Sequence, residues 1–140
     1  MTFATAIGKL FRLSSEERRL MAQSALIVAG VRLSLSLSSL EATLRRSSRL
    51  VGASGSKSMD AADIESTVTA VRRASRLIPR ASCLTQAIAA KTLLARHGQE
   101  STLRLGVAKR NEDVEAHAWL EADGRVLIGQ FENQHFAPLK

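Results

Sequence analysis

Covalent chemistry in this sequence could come from one cysteine and one histidine. Cys83 is the only cysteine among 140 residues. Pro79 precedes it, and a proline inside a helix removes a hydrogen bond and clashes with the preceding turn. Ser82 is a natural N-cap, because its hydroxyl can accept from a backbone N–H that the helix leaves unpaired. Leu84, Ala87, Ile88, Lys91, Leu94 and Ala95 then recur at helical spacing, and Gly98 is suited to end the helix. Cys83 therefore belongs to a first helical turn, where free N–H groups and the positive end of the dipole favour negative charge. That is a good place for a nucleophilic thiol. A buried, inert, small apolar residue is the competing reading.

His117 lies within Ala116-His-Ala-Trp-Leu-Glu121, 34 residues after the cysteine. A lone strand histidine is commonly structural. Here the separation leaves room for one helix, one strand and a loop, so the imidazole could serve as base to the thiol. His97 falls at the far end of the Cys83 helix, about 20 Å away at 1.5 Å per residue. His135 lies in a tail with no clear pattern. Trp119 shares the His117 face of a strand and reads either as core or as a wall of a substrate cleft. No zinc-type spacing of Cys and His occurs, and no cofactor is expected.

The positioning elements can be read around these residues. Ser14-Ser-Glu-Glu17 is a capping box that opens a long helical region from about Ser15 to about Leu44. The alternating run Arg32 to Ser38 is read as part of it, since no turn residue interrupts. Arg45, Arg46 and Arg49 form a basic end. Gly52 to Ser58 is a flexible linker. Asp60 caps the next helix, whose face carries Ile64, Val68, Val71 and Ser75. After Gly98 the period changes to two. Leu103, Leu105 and Val107 mark one strand, Lys109 to Asp113 a polar loop, and Glu115 to Glu121 a second strand. Asp123-Gly124 is a type I′ hairpin turn, and Arg125 to Gly129 returns as a third strand.

Residues 1–140 thus read as a single α+β domain, with a helical arm over residues 1–51 and a core over residues 59–140. Hydrophobic residues make up 45% of the chain, enough for a packed interior, and aromatic residues only 4%. Formal net charge is +7, which suits an anionic partner without identifying one. A single cysteine excludes an internal disulfide, and a cytoplasmic location is expected. The most apolar run, Leu20 to Val31, is short of the ~20 residues a spanning helix needs, so no transmembrane segment is expected.

Taken together, Ser82-Cys-Leu-x-Gln-Ala87, Leu93-Leu-Ala-Arg-His-Gly98, Leu103-Arg-Leu-Gly-Val107 and Ala116-His-Ala-Trp-Leu-Glu121 with Asp123-Gly-Arg-Val126 resemble the transglutaminase-like cysteine peptidase of lasso-peptide biosynthesis. Leu13-Ser-Ser-Glu-Glu-Arg-Arg-Leu20 is similar to the N-terminal arm of its stand-alone form. The resemblance implies a transglutaminase-like (papain-like) core with N-terminal helices, a Cys-bearing helix and a small antiparallel sheet. It makes Cys83 the nucleophile on the leader–core bond of a ribosomal precursor and His117 the base. Its implied partners are the leader peptide of the precursor, a separate leader-binding protein and an ATP-dependent macrocyclase. The ATP requirement belongs to the cyclase.

One position departs from the resemblance. The family carries an aspartate on the strand after the histidine strand, and this chain has Gly129 there. If Ala122 pairs with Arg125 across the turn, an unbroken register sets His117 opposite Gln130, whose amide could orient the ring. Gln130 could equally be an ordinary edge residue, and a bulge would turn it away. Two other functions compete with the peptidase. One is a basic helical module for nucleic acid or an anionic membrane; nucleic acid is the weaker case, because the arginines are dispersed, while peripheral membrane association stays open. The other is a transglutaminase-like acyl transferase, which the same Cys–His pair would serve.

Overall fold

The computed structural model describes residues 4, 8, 11–12, 14–51, 59–78, 82–110, 112–129 and 137–138. Within these lie helices α1 (Ser15–Leu37), α2 (Leu40–Val51), α3 (Ala61–Leu77) and α4 (Cys83–Arg96), followed by strands β1 (Thr102–Arg110), β2 (Asp113–Ala122), β3 (Arg125–Ile128) and β4 (Ala137–Pro138). The strands form one antiparallel sheet in the order β3-β2-β1-β4. The α+β class expected from the sequence is the class observed. The linker at residues 52–58 lies outside the described residues.

Caps set the helix boundaries. Ser14 Oγ accepts from the Glu17 N–H, and the Glu17 carboxylate accepts from the Ser14 N–H, which completes the capping box. Asp60 accepts from the Asp63 N–H at 2.8 Å and starts α3. The continuous helix expected to run to about Leu44 is instead two helices. Ser38 has an extended backbone and its hydroxyl donates to the Ser34 carbonyl at 2.7 Å. Ser39 then accepts from the Ala42 N–H and opens α2. Serines offer the backbone local partners outside the helix ladder, so a Ser-Ser pair can break a helix with no glycine or proline present.

Helix α4 is the centre of the fold. Ala87, Ile88, Ala89, Ala90, Leu93 and Leu94 are all essentially inaccessible, so it is buried around most of its circumference. It contacts α1, α2 and α3 as well as β1, β2 and β3. Leu120, Ala122, Leu127 and Ile128 bring the sheet into the same core, and Ile27, Val28, Val68 and Val71 bring in the helices. Alanines along α4 allow close approach of its neighbours. This is how a chain so poor in aromatic residues reaches full packing.

Helix α1 sends Met21, Ser24, Ile27, Val28 and Val31 into the core and leaves Leu26, Leu33 and Leu37 exposed. By length and composition alone it could cross a membrane, a test that a core helix of a soluble protein also passes. The Ser24 hydroxyl is fully buried and has no hydrogen-bond partner among the described residues. Ser24→Ala removes that unpaired group and is expected to raise stability by about 1 kcal/mol. A lower melting temperature in thermal denaturation would contradict this.

Candidate functional site

Cys83 occupies the first residue of α4, half-buried, directly after the Ser82 cap. Ser82 Oγ accepts from the Thr85 N–H at 3.3 Å. His97 is the residue that ends this helix, and Gly98 follows with φ +86°, the left-handed turn anticipated for it. His97 is therefore a helix terminus, remote from the thiol. His135 lies outside the described residues.

Chain direction relates the cysteine to the histidine strand. Residues 97–101 join α4 to β1 by a short turn, and Thr102 pairs with Glu121. Lys91 Nζ donates to the Ser101 carbonyl at 2.7 Å, and a shallow cavity at this end is lined by Lys91, Ala95, Thr102, Glu121 and Asp123. Helix α4 and strand β2 thus finish at the same end and run in the same sense. Counting back, Ala95 to Cys83 spans about 18 Å of helix. Ala122 to His117 spans about 17 Å of strand. The two spans are of similar length. Ala118, Leu120 and Ala122 lie buried in or beside the core. His117, Trp119 and Glu121 take the alternate positions on the strand.

On that alternate face the side chains are tied together. His117 is buried, and its ring stacks on Trp119 with centroids 6.2 Å apart at 20°. Trp119 Nε1 donates to Glu121 Oε1 at 2.8 Å, and Arg104 holds the other carboxylate oxygen at 3.4 Å. Gly106 pairs with His117 and presents no side chain against it. His117 Nε2 lies 2.7 Å from the carbonyl oxygen of Gly129. Trp119, read from sequence as core or cleft wall, is half-buried and packs on the imidazole.

The hairpin begins as the sequence predicts. Asp123 and Gly124 both have positive φ, +52° and +76°, and Ala122 pairs with Arg125. The pairing then slips. Glu121 faces Val126, yet Leu120 faces Ile128, so Leu127 is the extra residue of a bulge. The unbroken register that would set His117 opposite Gln130 therefore ends before Leu120. Gln130 itself lies outside the described residues. The predicted third strand also stops at Ile128, ahead of Gly129. In the same way, the polar loop expected at Lys109 to Asp113 is largely strand: Arg110 pairs directly with Asp113. Charge alone does not prevent a long hairpin.

Residues 27–140 match the family described as the transglutaminase-like superfamily, and the chain belongs to it. This superfamily generally contains cysteine-based enzymes, which fits a thiol at the start of the central helix. No curated protein and no solved structure matches the chain.

Trp119 is the only tryptophan, so its fluorescence reports this site alone. Glu121→Ala removes the acceptor of its indole N–H and is expected to shift its emission, with the far-ultraviolet circular dichroism unchanged. An unaltered emission spectrum would mean that Glu121 does not hold the indole.

Proposed function

We propose that this protein is a cysteine peptidase that removes the leader from a ribosomally made lasso-peptide precursor before macrocyclisation. The observation that carries the reading is Cys83 at the first turn of the buried central helix of a transglutaminase-like domain. The order of elements, a Cys83 helix followed by an antiparallel strand carrying His117, supports His117 as the base. The order and spacing of the motifs around both residues support the lasso-peptide assignment within the broader superfamily.

In this reading Cys83 Sγ attacks the carbonyl of the leader–core bond, and its proton passes to His117. The imidazolium returns the proton to the departing amine of the core peptide, leaving a thioester on the leader. Water, deprotonated by His117, releases the leader and restores the thiol. An amine in place of water would make the same intermediate an acyl donor, which is the transferase alternative. A separate leader-binding protein would deliver the short precursor by raising its effective concentration at the thiol. The ATP-dependent macrocyclase would act on the freed core.

Cys83→Ala should abolish cleavage of a leader–core substrate while leaving the fold intact, because the Ser82 cap and the apolar faces of α4 remain. His117→Ala should lower kcat by about 10²–10⁴-fold, the usual contribution of a positioned acid–base group. Full cleavage by Cys83→Ala would end the peptidase reading. The rate of Cys83 alkylation by iodoacetamide measures the Cys83–His117 pairing directly. An alkylation rate equal in wild type and His117→Ala would remove His117 as the base. Incorporation of an added amine with no net hydrolysis would identify the transferase.

The leader-binding partner has its own measurement. Turnover by the isolated chain should be slow and should rise when the leader-binding protein is added. Equal rates with and without that protein would exclude delivery in trans.

A further inference from the structure

We propose that the main-chain carbonyl of Gly129 orients the His117 imidazole, and that residue 129 must be glycine for it to do so. The catalytic meaning of this proposal rests on the Cys–His reading above; its geometry does not. A carbonyl oxygen can only accept a hydrogen bond. At 2.7 Å from His117 Nε2 it therefore fixes the proton on Nε2, and in the neutral ring the basic lone pair belongs to Nδ1. The carbonyl thus selects which nitrogen can take a proton.

The backbone around Gly129 is shaped for this contact. Its φ is +88°, in the region that side chains disfavour. A Cβ there would lie 2.6 Å from the Ala118 carbonyl oxygen and 2.9 Å from Trp119 Cβ. Trp119 Cα is 3.0 Å away, and all three atoms are main chain or fixed to it, so the crowding has no cheap relief. The Leu127 bulge just before it shifts the pairing by one residue. Arg72 Nη2 on α3 donates to the Leu127 carbonyl at 2.8 Å and ties the bulge to the helical layer. Trp119 stacks on the ring, and Gly106 pairs with His117 on the neighbouring strand. Among the described residues, the Gly129 carbonyl and the Trp119 ring both hold the imidazole. A neutral carbonyl orients the ring without bringing it a full negative charge, so Gly129 acts as a positioning residue.

The test uses the full chain labelled with ¹⁵N. The wild-type ring should show a solvent-protected proton coupled to Nε2. Cys83→Ala should keep that signal, because it leaves the bond untouched. Gly129→Ala should lose it, and kcat for leader cleavage should fall by about 10²-fold with KM little changed, as for a misplaced catalytic group. A proton on Nδ1 of the wild-type ring, or an Nε2 proton in free exchange with solvent, would overturn the proposal. So would Gly129→Ala with the protected proton and wild-type kcat. If Gly129→Ala does not fold, the wild-type spectrum decides alone. Failure of the peptidase reading, seen as cleavage by Cys83→Ala, would leave the ring signal in place, so the two failures are distinguishable.

Discussion

The burial of helix α4 constrains everything else in this fold. A helix closed in on most sides must be apolar nearly all round, and it needs neighbours on every side to complete its packing. Here α1, α2 and α3 cover it on one part and the sheet on another. Alanines at 87, 89 and 90 let these layers close without bulky aromatic residues. The one part of such a helix that cannot be filled by packing is its first turn, where free N–H groups need partners. Ser82 supplies one, and the half-buried Cys83 sits beside it. A helix otherwise committed to the core thereby presents its cysteine at the edge of that core.

The sheet answers to a different constraint. One set of β2 side chains must join the core, as Leu120 and Ala122 do, so the other set is available for polar contacts. Arg104, Glu121, Trp119, His117 and the Gly129 carbonyl form a connected run across that second set. The bulge at Leu127 lets β3 serve both. Leu127 and Ile128 are buried in the core, and the chain then turns at Gly129 so that its carbonyl meets the imidazole. A regular strand would have kept residue 129 in the ladder.

Charge has a smaller part than the excess of +7 suggests. Arg46 on α2 donates to Ser34 of α1 and to Ser38 just beyond its end, at the break between the two helices. Arg72 spans from α3 to the bulge. Arg46 and Arg72 are thus joints between elements, worth more through their hydrogen bonds than through their charge. The remaining exposed arginines of α1 to α3 stay compatible with an acidic partner.

Most of what is local was legible in the sequence. The capping box at Ser14, the caps at Asp60 and Ser82, the left-handed stop at Gly98 and the type I′ turn at Asp123-Gly124 all depend on residues within a few positions of one another. Cys83 at a helix start and His117 on a strand follow from the same local signals. Three things did not. The helix break at Ser38-Ser39 depends on side chains choosing carbonyls within the chain over water, which packing of α2 on α4 favours. The bulge at Leu127 depends on Arg72, 55 residues away, and on the need to bury two successive residues of β3. The Gly129 carbonyl as partner of His117 depends on both. Sequence shows which side chain occupies a position; it shows neither where a backbone carbonyl points nor how a bulge moves the register. Those follow from packing between distant elements, and only the tertiary structure decides them.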